Sequence, residues 1–278
     1  MMDIGSIIVD GITLSFQRQG ACTATDPTIV LLHGNSGCKE VFQHQFTHFE
    51  NTRFSVLAID LPGHGASDNA LTPETTYTMP GYARMIDKAL TTLGVEHYIL
   101  VGWSLGGNIG LEMAGCDMGM KGLMIFGAPP VGPGMKNVEK AYLPATFASA
   151  IGDDDTPSDQ IDAFVDAIYG TLAPVPKPFY TCAHRTEGRA REIMVSHWLG
   201  GQNGHVQYET VANWEKPICV AHGNLDPFAA LEYLQLAPWK NLWHDKVIEF
   251  PACGHAPFVE DPAGFNAVLE QFASDVLT

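Results

Sequence analysis

The chain has 278 residues, of which 46% are hydrophobic and only 17% charged, and its 15 Lys+Arg against 31 Asp+Glu give a formal charge of −16. That length holds one large α/β domain with an inserted sub-domain, and the composition is that of a packed globular protein rather than a disordered one. The acidic balance argues against nucleic acid or an anionic membrane as partner, and no apolar run approaches the roughly 20 residues that span a bilayer.

The opening residues, Met1-Met2-Asp3-Ile4-Gly5-Ser6, lack a basic n-region and an apolar h-region, so a cytoplasmic location is the expectation. From Ile7 to Phe16 the pattern predicts a hairpin turning at Asp10-Gly11. Six short, continuously apolar runs follow, each bounded by turn residues: 28–32, 55–59, 98–101, 122–126, 218–221 and 246–250. Runs of this kind suit strands covered on both faces. Helical spacing lies between them, with Tyr82, Met85, Ile86, Ala89 and Leu93 marking a helix over 79–93, a second starting just after Ser104, and a last one over about 263–276. Strand–helix alternation predicts an α/β fold with a mostly parallel, doubly wound sheet and a ligand crevice at the carboxyl ends of its strands.

The alternation stops after the sixth sheet strand. From Pro129 to Gly134 the chain is Pro- and Gly-rich, and beyond it helices over 159–169 and 189–198 have no strand partners. Residues 131–214 are therefore expected to form a helical cap over a core made of 1–130 and 215–278. Cap side chains Phe147, Ile161, Phe164, Ile168, Tyr169, Met194 and Trp198 are candidates for sheltering an apolar ligand.

Gly102-Trp103-Ser104-Leu105-Gly106-Gly107 directly follows a strand and precedes an apolar helix. A strand turning abruptly into a helix lifts the serine hydroxyl out of the sheet beside free helix N–H groups, and its flanking glycines let the turn pack closely. Ser104 is thus the candidate nucleophile, and a serine needs a base. Asp226 follows the strand 218–221 and His255 follows the last strand, so both fall at the same sheet edge as Ser104, in the order nucleophile, acid, base. Asp245 precedes the last strand and belongs at the opposite edge. The backbone N–H groups of Leu105 and Asn35, the latter in His33-Gly34-Asn35-Ser36-Gly37, are the candidate oxyanion donors. Asn35, Trp103, Phe164, Tyr169 and Trp198 are the candidate substrate contacts. Asp60-Leu61-Pro62-Gly63-His64-Gly65 reads as a structural turn.

His44 and His48 stand i, i+4 on a predicted helix, but no Glu or third ligand accompanies them. No H-x-H-x-D-H run, G-x-G-x-x-G or P-loop occurs, so neither a metal nor a cofactor is expected. Six cysteines (Cys22, Cys38, Cys116, Cys182, Cys219, Cys253) lack C-x-x-C spacing, and all six are expected to be reduced.

Taken together, His33-Gly34, the 60–65 turn, the Ser104 motif, Gly223-Asn224-Leu225-Asp226 and Gly254-His255-Ala256-Pro257-Phe258 resemble the α/β-hydrolase superfamily over nearly the whole chain. A closer resemblance is to its metal-independent N-acyl-homoserine lactone lactonases, carried by His33-Gly-Asn-Ser36, 102–113, Lys121-Gly-Leu-Met124, Pro129-Pro-Val131, Gly188-Arg-Ala-Arg191, Ile193-Met194 and Asn241-Leu-Trp243. Where that group is expected to carry Glu as the acid, this chain has Asp226. The resemblance implies a cofactor-free, quorum-quenching serine lactonase acting on a small ester or lactone with an apolar acyl chain; the oligomeric state stays open. Its rivals are a general carboxylesterase, a carbon–carbon bond hydrolase acting on dienoic diketo acids, and a small-molecule receptor on a hydrolase fold. Dehalogenase and epoxide hydrolase chemistry would want Asp where Ser104 stands.

Overall fold

The computed structural model describes residues 2–116, 119–132, 135–144, 152–200 and 204–278. Phe147 and the Pro133-Gly134 end of the turn-rich stretch lie outside them. The described strands form one eight-stranded sheet: β1 (Met2–Val9), β2 (Ile12–Gln19), β3 (Thr28–Leu32), β4 (Ser55–Ile59), β5 (Tyr98–Trp103), β6 (Gly122–Phe126), β7 (Ile218–Gly223) and β8 (Ile248–Phe250). Their order is β1-β2-β4-β3-β5-β6-β7-β8, antiparallel from β1 to β4 through β2 and parallel elsewhere. This is the α/β-hydrolase fold. The hairpin turns at Asp10 (φ 49°) and Gly11 (φ 80°), positive angles that match the twist of its two strands.

The continuous apolar runs resolve into two alternating faces. Val30, Leu32, Leu100, Leu123 and Ile125 enter one hydrophobic core, whereas Ile29, Leu31, Ile99, Val101, Met124 and Phe126 enter the other. Every residue of β3 through β7 is buried, because helices cover both sides. The helices of the first part are α1 (Gln43–His48), α2 (Pro73–Thr76), α3 (Met79–Leu93) and α4 (Leu105–Gly115). In α3, Thr78 accepts the Gly81 N–H at 3.1 Å to cap the start, and Gly94 closes the end at φ 72°. On α1, His48 meets Glu270 at 2.8 Å.

After β6 come α5 (Met135–Ala141), α6 (Ser158–Tyr169), α7 (Lys177–Arg185), α8 (Gly188–Leu199) and α9 (Gln207–Asn213), before the chain re-enters the sheet at β7. The remaining helices are α10 (Leu231–Leu236), α11 (Pro257–Glu260) and α12 (Pro262–Val276). The segment between β6 and β7 is fastened to the loops beneath it. Glu187 N–H donates to the Gly63 carbonyl at 2.8 Å, and Cys182 of α7 is disulfide-bonded to Cys38. That bond corrects the expectation of six reduced cysteines; Cys22, Cys116, Cys219 and Cys253 are free. The two partners are 144 positions apart and meet only because α7 folds back over the β3 loop, so no local spacing announces them. β8 is shorter than its apolar run, since Lys246 and Val247 precede the paired residues.

Candidate active site

Ser104 sits between β5 and α4 with φ 51° and ψ −116°, a backbone conformation that a non-glycine residue holds only when its surroundings impose it. Those surroundings are visible. Ser104 N–H donates to the Phe126 carbonyl at 2.9 Å, and the Ser104 carbonyl accepts Gly107 and Asn108 N–H groups at 2.9 and 3.1 Å. A Cβ at Gly102 would collide with the Gly106 carbonyl, and one at Gly106 with the Leu32 carbonyl. The turn exists because both positions lack a side chain.

Asp226 and His255 converge from the loops after β7 and β8. His255 Nδ1 lies 3.0 and 2.9 Å from the two Asp226 carboxylate oxygens. A carboxylate only accepts, so Nδ1 carries the proton and Nε2 is left with a free lone pair. Asp226 Oδ1 also accepts the Phe228 and Ala229 N–H groups at 2.8 and 3.2 Å. Burial alone would raise the Asp226 carboxyl. The adjacent His255, through its charge and its hydrogen bond, and the Phe228 amide outweigh that and hold it below its ordinary value. Two rings pack on the imidazole, that of Trp103 at 5.8 Å and that of Phe228 edge-on at 4.8 Å, and Trp103 Nε1 ties down the backbone by donating to the His255 carbonyl at 2.9 Å.

The His33–Gly37 loop lies against the serine; a Cβ built on Gly34 would stand 3.1 Å from Ser104 Cβ. The loop is tied down from two directions. His33 Nδ1 donates to the Gly34 carbonyl at 2.8 Å, and its Nε2 accepts the Leu61 N–H at 3.0 Å. Ser36, at φ 60°, accepts from Arg191 Nε of α8 at 3.1 Å, and Arg191 Nη2 donates to the Ala183 carbonyl. Arg191 is 2% exposed, and burial brings its guanidinium down to about 10. The 60–65 turn is held by local hydrogen bonds. Buried Asp60 accepts from Lys39 Nζ at 2.8 Å, from Lys39 N–H at 2.6 Å and from Ala66 N–H at 2.9 Å, and His64 Nδ1 donates to the Pro62 carbonyl at 3.0 Å.

One cavity of about 100 Å³ brings Asn35, Ser104, Leu105 and His255 together beneath Phe164 and Trp198. Two of the expected substrate contacts need correction. Trp103 and Tyr169 do not line it. Trp103 ends β5 with its ring packed at 5.0 Å on Phe258 and 5.7 Å on Tyr169, and Tyr169 in turn stacks on Phe179 at 4.4 Å. They support the site from behind.

Met194, one of the cap candidates, also lines the cavity, and Met79, Asn108, Tyr142, Val195 and Phe228, which were not among the sequence candidates, complete the wall. Asn108 was within reach of the pattern, since it stands one helical turn after Ser104 on the same face. Its Nδ2 donates to the Ser104 carbonyl and to Tyr142 Oη, both at 3.3 Å. Two buried polar atoms of wall residues, Asn108 Oδ1 and Trp198 Nε1, have no partner among the described residues. His222, on β7 beside this site, is also buried, and burial lowers its imidazole despite the nearby Asp226.

The model of the Alpha/beta hydrolase family matches residues 29–268. Among solved structures, the N-acyl homoserine lactonase AidH, in a mutant complexed with N-hexanoyl homoserine lactone, is 31% identical, with a TM-score of 0.90 over 99% of this chain and 98% of that one. An esterase from a Rhodococcus species is similar in fold, with a TM-score of 0.75 at 23% identity over 99% of each chain. A 2-succinyl-6-hydroxy-2,4-cyclohexadiene-1-carboxylate synthase from Pectobacterium atrosepticum is 31% identical over 161 residues, which are 57% of this chain and 61% of that protein. The match thus spans less than two thirds of that relative.

Proposed function

The chain belongs to the alpha/beta hydrolase family, and from that premise we propose that it is a serine hydrolase that opens the lactone ring of N-acyl homoserine lactones. Ser104 Oγ gives its proton to His255 Nε2 and attacks the ring carbonyl. The N–H groups of Leu105 and Asn35 hold the oxyanion, and Asp226 stabilises the imidazolium. His255 then protonates the ring oxygen as the C–O bond breaks, leaving an acyl-enzyme with a free hydroxyl on the homoserine. Water deprotonated by His255 attacks that ester, and Ser104 leaves with the returned proton. The product is the open N-acyl homoserine. Residues 131–214 serve as the cap in this reading, and breakdown of signalling lactones is the expected biological outcome.

The single observation that carries the substrate choice is likeness to the lactonase over both whole chains, the segment between β6 and β7 included. Two features of the cavity support it. Its walls are mainly apolar, which suits an acyl chain. An N-acyl amide also brings one donor and one acceptor, the complement of Asn108 Oδ1 and Trp198 Nε1, which have no partner among the described residues.

The test is a panel of N-acyl homoserine lactones, a plain γ-lactone and p-nitrophenyl esters, followed by acid release with wild type and Ser104→Ala. Lactone opening lost in Ser104→Ala is expected. Rapid ester turnover without lactone opening overturns the substrate assignment, and activity that survives Ser104→Ala overturns the mechanism.

A further inference from the structure

A second cluster of chemically active side chains lies at the far end of α4. Glu112 of that helix and Cys116, which caps its carboxyl end, stand i, i+4, and His205 arrives from the segment that leads into α9. Cys116 Sγ is 3.3 Å from His205 Nε2, and one ligand atom from each of the three side chains falls within 4.8 Å of the other two. The convergence is built into the backbone. His205 N–H donates to Glu112 Oε2 at 2.9 Å, which fixes the carboxylate. A Cβ at Gly115 would stand 2.6 Å from the His205 ring, and one at Gly204 would collide with the other Glu112 oxygen. Two glycines therefore clear the space in which the three groups meet.

We propose that Glu112, Cys116 and His205 form a structural binding site for a zinc-class divalent cation. A thiolate at about 2.3 Å and an imidazole at about 2.0 Å in a tetrahedral shell stand roughly 3.5 Å apart, close to the observed separation. Sulfur, nitrogen and oxygen together select a borderline cation of the Zn²⁺ and Co²⁺ type over Mg²⁺ or Ca²⁺. Glu112 is buried while Cys116 and His205 are exposed, so a cation enters from solvent and water completes the shell. The only other such group among the described residues, Cys38, Glu40 and Cys182, has both sulfurs in the disulfide. The site is separate from the hydrolytic one. Twelve residues of helix at about 1.5 Å each put it roughly 18 Å from Ser104. Its effect is to clamp the end of α4 to the chain entering α9.

The test is a Co²⁺ titration of the whole protein, without reductant so that Cys38 and Cys182 stay paired, followed by the thiolate-to-cobalt absorption band and by equilibrium dialysis with Zn²⁺. Wild type should bind one equivalent with the band present. Cys116→Ser should abolish the band, and His205→Ala should weaken binding on the order of 100-fold, since even loss of outer contacts to a metal ligand costs about 10–100-fold. Zn²⁺ should raise the melting temperature of wild type but not of Cys116→Ser, with the rate at Ser104 unchanged. A wild type without the band, as a mere thiol–imidazole hydrogen bond would leave it, overturns the site. So does a band that survives Cys116→Ser, or binding indifferent to His205→Ala.

Discussion

Arg191 Nε donates to Ser36 Oγ at 3.1 Å, joining helix α8 to the loop that carries Asn35. The guanidinium is buried and also spans to the Ala183 carbonyl, so it holds the loop against α7 and α8 at once. A cation kept in so dry a position is expensive unless its geometry matters. In the proposed mechanism it orients the loop that supplies the Asn35 oxyanion donor, without touching the reacting atoms. Arg191→Met should lower kcat by about 10- to 100-fold, less than the roughly 10²–10³ that follows loss of an oxyanion donor itself. KM should change by no more than a few-fold. Steady-state kinetics with circular dichroism as a folding control checks this; an unchanged kcat in a folded variant removes Arg191 from the positioning role.

Ser104→Ala and His255→Ala should each lower kcat by at least about 10³-fold, and the double variant should be scarcely worse, because residues that act as a unit are non-additive. Single-turnover kinetics on the three variants measures it. Additive losses would mean that the two side chains do not share a step.

Trp198→Phe keeps an aromatic ring and removes the Nε1–H that has no partner among the described residues. For an N-acyl homoserine lactone the KM should rise about 5- to 10-fold, in line with the ~1–1.5 kcal/mol of a lost hydrogen bond. For a plain γ-lactone it should stay constant. Equal changes for both substrates would show that the indole does not read the amide.

The cavity of about 100 Å³ is small beside the ~300–1,000 Å³ usual for ligand pockets. Butanoyl and hexanoyl chains should accordingly be turned over faster than dodecanoyl chains, and Phe164→Ala should narrow that gap. A chain-length series of kcat/KM on both proteins decides it.

Stability should fall in two separate acid windows. His33, His64 and His222 are buried, and burial lowers each imidazole below its ordinary value. Between the unfolded value near 6.5 and the lower folded values, the unfolded chain binds more protons, so stability drops as pH falls, by up to ~1.4 kcal/mol per pH unit for each group. The Asp226 carboxyl is held down in the folded state. Its contribution is intact above the unfolded value near 3.9 and is lost as pH falls through the folded value. Urea midpoints at pH 7.5, 6.5, 5.5 and 4.5 should decline in steps already below pH 6.5. A midpoint flat from pH 7.5 to 5.5 would contradict the neutral state of the buried histidines.

Much of this site could be read from residue order alone, and the reason is local. The strand runs, the glycines around Ser104, and the placement of Asp226 and His255 one loop beyond their strands each depend on a few neighbouring residues. What escaped depends on the segment between β6 and β7 folding back on the core. Nothing near Cys38 points to Cys182, 144 positions on. Tyr142 and Met79 reach the cavity through packing that no periodicity encodes, whereas Tyr169 has the right spacing but turns toward Phe179 and Trp103. Asn108 is the intermediate case, on a predicted helix and one turn from Ser104, where the face was legible and the role was not.

The position of the helical segment between β6 and β7 also sets an order of events during synthesis. Ser104 and the Asn35 loop leave the ribosome first, then the whole overlying segment, and only afterwards Asp226 and His255. At roughly 5–20 residues per second, on the order of ten seconds separate the synthesis of Ser104 from that of His255. Under the proposed mechanism, the nascent chain carries an unactivated hydroxyl throughout that interval, and hydrolysis waits on the synthesis of the last strand and the loop after it.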